Sequence, residues 1–567
     1  MSGHRRRTSA KNAVQAKSAL KAKNALNQTW VLIVAVVVAM VAAGVGLGMW
    51  ATGGDGGESG PLVSAQGQPS RDASACSSAG ASKTPGPSPT RSYPLSETPR
   101  TIPAVRAHTP ARGPGWKPAK GQRIVVSDPE LADEGRLVAG ELGLAYGGAK
   151  DDVCAGDVRL ALNDDEGADP ESYAMTVRGG RVNISGPAEA GVFYGTRTLK
   201  QEVRGGGTAP EGVVRDEPAK PVRGFMLDIA RKHFSADWIE DRVRELGDLK
   251  YNQLGLHFSD DQGFRIESDS HPEIVSQQHL TKAQVKKIVD LAASRHITVV
   301  PEIDSPGHLG AVIAAHPDLQ LRNASGVATR GAVDISDPAA GEIVDDLLNE
   351  YAGLFPGAPW HLGGDEYQAL TVSDPQASYP QLASAATDAY GSGATVADLT
   401  TGWLNDRADT VRAHDKSPRA WNDGFFRGTS VQPDKDIQVA YWTGKEIGAR
   451  QPLEYLREGR KIVNYNDEFL YYVLGEPLTF VYPTGQRIYE QWTPLVVRGT
   501  QPVPAKYDDQ ILGGSFAVWC DLADAQNEAQ VAAGIRMPLR ATVQKLWDPG
   551  RPELSWTEFR ALADRLG

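Results

Sequence analysis

From Pro221 onward the sequence repeats one unit, a short apolar segment followed by an amphipathic helical pattern. Eight apolar segments can be read: Val222–Asp228, Asn252–Phe258, Ile297–Ile303, Trp360–Gly364, Arg419–Trp421, Gln438–Trp442, Lys461–Tyr465 and Leu512–Trp519. Helical spacing lies between them, as at Ala236–Leu249, Lys282–Ser294, Ala340–Leu354 and Leu399–His414. Consecutive parallel strands need crossover helices, and eight such units fit a closed (β/α)8 arrangement. The expected fold class is α/β, with a TIM barrel over residues 217–567.

In such a barrel the functional side chains stand at the C-terminal strand ends. The first strand ends in Asp228 and Arg231, the second in Ser259-Asp260-Asp261-Gln262, and the third in Glu302-Ile303-Asp304-Ser305-Pro306-Gly307-His308. The fourth runs Trp360-His361-Leu362-Gly363-Gly364-Asp365-Glu366-Tyr367, an apolar approach ending in two glycines and two adjacent acids. The fifth, seventh and eighth end in Trp421-Asn422-Asp423, Tyr465-Asn466-Asp467 and Trp519-Cys520-Asp521. Any one of these can be a helix cap or a turn. Seven together point to one shared site.

Acids supply proton transfer and stabilise a developing cation, and flat aromatic faces suit sugar rings. The combination favours a glycoside hydrolase. A metal hydrolase is the rival, with Asp260, Asp304, His308 and Asp365 as ligands. No HxH or HExxH pair is present, so no metal and no cofactor is expected. A phosphate site is disfavoured because Gly363-Gly364 runs straight into two acids. Neighbours on a strand point to opposite sides, so Asp365 and Glu366 are poorly placed to flank one bond as acid and nucleophile. That spacing suits a substrate carrying its own nucleophile.

The rest of the chain divides by composition. Residues 1–29 form a basic tail, and residues 1–30 hold seven of the 59 Lys/Arg and no acid. The remainder carries 52 cations against 70 acids, a net of −18, which excludes a nucleic-acid partner. Residues 30–50 are an uncharged apolar run long enough to cross a bilayer, and the preceding cations place the N-terminus in the cytoplasm and the body outside. A cleaved signal peptide, and hence a secreted body, is the competing reading. Residues 51–120, rich in Gly, Ser, Pro and Thr, are expected to form an extended linker. Residues 121–216 read as a small supporting α/β domain, with a hairpin at Gly179-Gly180. Cys76, Cys154 and Cys520 lie far apart and form no metal motif; their pairing stays open, as does the oligomeric state.

The segments Arg223–Arg231, Leu256–Gln262, Pro301–His308 and His361–Glu366 resemble glycoside hydrolase family 20, the β-N-acetylhexosaminidases and their relatives. The resemblance covers about residues 121–567. It implies retention assisted by the substrate: the 2-acetamido oxygen attacks the anomeric carbon, outside the two-carboxylate scheme. It also implies roles. Glu366 is the general acid and base, Asp365 orients the acetamido N–H, and Tyr465 bonds the acetamido oxygen. Asp260 and His308 form a chain behind Glu366. Arg231 and Asp467 hold hydroxyls, while Trp421, Trp519 and Trp403 wall the pocket. The implied partner is a glycan ending in β-linked N-acetylhexosamine. Asp521 stands where many members carry Glu, leaving room near the sugar's 4- and 6-positions. Tyr367 and the run Tyr465–Tyr472 look more like the branch containing lacto-N-biosidases, so release of a Gal-GlcNAc disaccharide is the alternative. A surface glycan-binding protein without turnover is a further alternative; no expected side chain is missing.

Overall fold

The computed structural model describes residues 92–149, 153–165, 167–445 and 449–567. The basic tail, the apolar run 30–50 and the linker up to residue 91 lie outside them. Among the described residues no helix is long and apolar enough to cross a membrane.

The first domain is a seven-stranded sheet of β1 (Ala107–Pro110), β2 (Arg123–Val126), β3 (Ala145–Ala149), β4 (Val158–Leu162), β5 (Tyr173–Arg178), β6 (Arg181–Gly186) and β7 (Gly212–Asp216), in the order β1-β7-β5-β6-β4-β2-β3. Gly179 and Gly180 take φ of 58° and 72°, the double positive φ that closes a two-residue hairpin between β5 and β6. Helices α1 (Ala132–Leu142) and α2 (Glu189–Gly206) pack on the sheet. β1 pairs with β7, so the expected end of the linker at 120 is corrected. Composition misled there. Thr101-Ile102-Pro103 is buried, and Gln201 satisfies both the Ile102 N–H (2.7 Å) and its carbonyl (2.8 Å).

The second domain holds eight parallel strands: β8 (Val222–Asp228), β9 (Gln253–His257), β10 (Thr298–Glu302), β11 (Pro359–His361), β12 (Ser417–Trp421), β13 (Gln438–Tyr441), β14 (Ile462–Asn464) and, after a short β15 (Tyr471–Val473), β16 (Ile511–Trp519). β16 pairs with both β14 and β8, which closes the barrel. Every expected barrel strand is present. β8 is buried along its whole length, as a strand covered on both faces must be. The surrounding helices start at capping residues: Ser235 before α3 (Ala236–Asp248), Thr281 before α4 (Lys282–Ala293), Asp337 before α5 (Pro338–Ala352), Thr395 before α6 (Val396–Arg412) and Asn527 before α7 (Glu528–Trp547).

The two domains are joined at the N-terminal end of the barrel strands. Arg223, at the start of β8, is fully buried and donates to both oxygens of Glu171 at 2.7 Å. Lys250 is also fully buried, 3.3 Å from Asp216, and burial pulls its pKa down to about 8 against the pull of that carboxylate. Trp547, at the end of α7, inserts into the core of the first domain and donates to Asp216 at 2.9 Å. These contacts leave the opposite, C-terminal mouth to the site.

Candidate active site

The mouth is built on Gly363-Gly364. Gly363 has φ +68°, and a Cβ there would stand 1.8 Å from Asp304 Oδ1. Gly364 has φ +96° and donates its N–H to that same oxygen at 2.9 Å. Only glycine lets the chain turn this closely over Asp304. The turn delivers Asp365 and Glu366 to the mouth. Glu366 itself adopts φ +48° and His308 φ +55°, left-handed positions that cost non-glycine residues of order 1–3 kcal/mol each and concentrate at functional sites. The Glu366 N–H is held by Asp423 Oδ2 at 3.0 Å.

His308 stands between the acids. Its Nε2 is 3.6 Å from Asp365 Oδ2 and 3.6 Å from Glu366 Oε2, and its Nδ1 is 3.4 Å from Asp260 Oδ1. Burial opposes charge on this ring, yet Asp365, Asp260, Asp304 and Glu366 together hold its pKa well above the ordinary value. The Glu366 pKa is lowered, chiefly by the neighbouring His308. The proton of this pair therefore sits on the imidazole.

Asp304 and Asp365 form a second pair. Asp304 Oδ2 and Asp365 Oδ1 are both buried without a donor, and the two carboxyls bring ligand atoms within 4.8 Å of one another. One shared proton satisfies both observations. Burial, then the Asp365 charge, push the Asp304 pKa far up, and burial raises that of Asp365 less, so the pair keeps one proton, favouring Asp304.

Beneath the mouth runs a buried chain of alternating charge. Arg231 Nη2 lies 2.8 Å from Asp260, and Nη1 lies 3.1 Å from Asp228. Burial opposes the Arg231 charge, but Asp228, Asp260 and Asp521 raise its pKa further. His257 Nε2 is 2.8 Å from Asp260 and its Nδ1 is 3.2 Å from Glu302. Burial works against the Glu302 charge; His361 and His257 nevertheless hold its pKa down to about 2. Glu302 also accepts the indole N–H of Trp421 at 2.7 Å. One buried carboxylate thus ties an aromatic wall to the histidine–aspartate chain.

Trp421, Trp519 and Tyr471 share one apolar cluster inside the barrel, with Trp421 and Trp519 centroids 5.8 Å apart. Trp442 packs against this cluster, stacked on Tyr471 at 5.8 Å with 3° between the rings, and donates to Asp423 at 2.9 Å. Arg231 lies over Trp519, 5.3 Å from its centre. Asp467 is buried beside Lys445 at 2.8 Å, and Asp521 is exposed at the rim.

One expected wall residue lies away from this cluster. Trp403 lies on α6 in the outer core and donates to Ser305 at 3.0 Å, so it walls nothing. Trp442 takes that place, and its position at the end of an expected strand was the available signal. Tyr465 sits edge-on to Trp421 at 4.9 Å, in the same buried cluster as Trp519 and Tyr471. The tyrosine whose hydroxyl feels the Asp365 charge is Tyr471, carried by β15 alongside the end of β16. His257 had no role assigned from sequence, and Glu302 and Asp304 none in the sugar reaction.

Asp304, His308 and Asp365 bring three ligand atoms within 4.8 Å of one another.

Residues 221–544 match the model of the glycosyl hydrolase family 20 catalytic domain, and residues 98–217 that of the family's domain 2. A lacto-N-biosidase of Bifidobacterium bifidum is 31% identical over 477 residues, 83% of this chain and 42% of that protein. A beta-N-acetylhexosaminidase of Cellulomonas fimi is 34% identical over 273 residues, 43% of this chain and 54% of its own. A mutant Streptomyces plicatus beta-hexosaminidase, solved with its product GlcNAc, superposes with a TM-score of 0.66 at 26% identity, covering 84% of this chain and 95% of that one. The chain spans about half the length of these two curated relatives. With both of its domains matched in order, the chain belongs to glycosyl hydrolase family 20.

Proposed function

We propose that this chain is a retaining exo-glycosidase that releases a terminal β-linked N-acetylhexosamine, GlcNAc or GalNAc, with the sugar's own acetamido oxygen as nucleophile. The observation that carries this reading is the division of labour between adjacent acids. Asp365 is paired with Asp304, which keeps a proton more readily, while Glu366 stands on the other side of His308 Nε2, each acid 3.6 Å from that nitrogen. Asp365 accepts the acetamido N–H, orienting the carbonyl oxygen toward the anomeric carbon and stabilising the positive charge of the cyclic intermediate. The Tyr471 hydroxyl donates to the acetamido oxygen from the other side.

Glu366 is the acid. In the open mouth its side chain is 43% exposed. A bound sugar removes that water, and desolvation favours the neutral carboxyl, drawing the proton from His308 onto Glu366. Protonated Glu366 gives it to the leaving oxygen, and the carboxylate then deprotonates the water that opens the intermediate. Asp260, fixed by Arg231 and His257, keeps His308 aimed. Arg231 offers its remaining donors to sugar hydroxyls, between the tryptophan walls.

A second reading is release of a Gal-GlcNAc disaccharide. It is favoured by the extent of the match to the B. bifidum lacto-N-biosidase and by exposed Asp521 at the rim. The deciding experiment compares aryl β-GlcNAc, β-GalNAc and β-lacto-N-bioside hydrolysis by the body of the chain. Faster turnover of the monosaccharides supports the first reading, and the reverse order supports the second. Glycan binding with no product from any of the three overturns both.

The apolar run 30–50, preceded by cations, supports a membrane-anchored body facing outward. Labelling of intact cells by a protease or an antibody against the body tests this placement.

A further inference from the structure

Outside the mouth, His271, Glu273 and His316 converge. Glu273 Oε1 lies 3.0 Å from His271 Nδ1 and 2.9 Å from His316 Nε2. The two imidazole planes are almost perpendicular, at 86°, and their centres are 6.3 Å apart, so the rings converge on the carboxylate rather than stack. The second nitrogen of His271, Nε2, is buried without a hydrogen-bond partner, and Asp346 Oδ2 stands 3.4 Å from it.

We infer that His271 Nδ1, Glu273 Oε1 and His316 Nε2 form a binding site for a divalent transition-metal ion of the zinc class, separate from the sugar site. Two imidazoles and one carboxylate are a donor set for Zn2+, Ni2+ or Cu2+ rather than for Ca2+ or Mg2+. Ligands about 2.0–2.1 Å from a tetrahedral ion sit about 3.3 Å apart, so the two existing contacts need to open by only a few tenths of an ångström. Half-exposed Glu273 and His316 leave an entry path and room for a water as fourth ligand. With the metal on Nδ1, the His271 proton lies on Nε2, facing Asp346. That carboxylate then orients the ring and offsets the ion's charge, as carboxylates behind metal-bound histidines do.

The site bridges two segments that also build the mouth. His271 and Glu273 lie between β9 and α4, and His316 lies between β10 and α5. The same two connections begin with Asp260 and His308. A bound ion staples their outer parts together, so its expected effect is on the stability of the mouth rather than on the chemistry.

The test uses the full chain, stripped with a chelator and then titrated with Zn2+ by calorimetry and with Cu2+ by electron paramagnetic resonance. The expected result is one site per chain, coupling to two nitrogens, and a melting temperature that rises with occupancy. His271→Gln and His316→Gln should each weaken binding about tenfold or more and remove one nitrogen from the spectrum. Neither should change glycoside turnover or the metal-free melting temperature. If either histidine variant melts early without metal, Glu273→Gln replaces it; that variant should bind weakly while keeping both nitrogens. Undiminished binding in the variants, or no saturable binding by the parent, overturns the inference. So does displacement of the ion by GlcNAc, which would place it at Asp304, His308 and Asp365.

Discussion

Asp304 and Asp365 face each other with one buried oxygen apiece that no other group reaches, and one proton between them resolves both. Because Asp304 is held protonated, folding favours its neutral form. Its contribution is fully present below the ordinary carboxyl pKa of about 4 and is lost as pH rises through the raised folded value. Asp304→Asn keeps a donor to Asp365 and removes that loss. The difference in melting temperature between variant and parent should therefore move in the variant's favour from pH 4 to pH 7. A pH-independent difference would mean that Asp304 is ionised in the folded protein.

Tyr471 and Tyr465 make a discriminating pair. Loss of one transition-state donor typically costs about 100-fold or more in kcat, so Tyr471→Phe should lose that much. Tyr465→Phe removes a buried hydroxyl and should lower stability by about 1 kcal/mol with a much smaller effect on rate. Steady-state kinetics with a denaturant titration on both variants separates the roles; the reverse ranking returns the catalytic hydroxyl to Tyr465.

Glu302 makes no contact with the expected sugar position and acts through Trp421 and His257. Glu302→Gln can still accept from the indole but no longer balances His257. The expected cost is about 3 kcal/mol of stability, as for a broken buried pair, with an altered acid limb in the pH–rate profile from a weakened hold on Asp260. A stability loss with an unmoved pH profile would make Glu302 structural only.

Gly363→Ala places a methyl where Asp304 Oδ1 already lies, at a positive φ. Left-handed strain of about 1–2 kcal/mol adds to that clash, so activity and melting temperature should fall together. A variant with parental values would show that the turn has slack.

The barrel and the Gly-Gly-Asp-Glu turn were legible because each rests on local chemistry. Apolar segments recur at crossover spacing, and two glycines precede acids at one strand end. The Gly179-Gly180 hairpin was legible for the same reason. What escaped depends on tertiary placement. Residues 92–120 have a linker's composition, but Ile102 finds its partners on α2, 99 residues along the chain. Three tyrosines lie between 465 and 472, and only the path of the chain past Asn464 decides that Tyr471 is the one whose hydroxyl feels the Asp365 charge. Trp403 and Trp442 are equally aromatic; one lies on an outer helix, the other just past a strand. Proton placement among Asp304, His308 and Asp365 depends on burial and on mutual charge, which no motif displays.

In the proposed reaction the substrate's amide oxygen attacks the anomeric carbon. The most direct test of this step is kcat/KM for aryl β-glycosides whose N-acetyl group carries zero, one, two or three fluorines, each of which weakens that oxygen as a nucleophile. A steep, monotonic fall along the series is expected for the parent. A flat series would mean that a protein carboxylate or a water makes the attack, contradicting the roles given to Asp365 and Glu366.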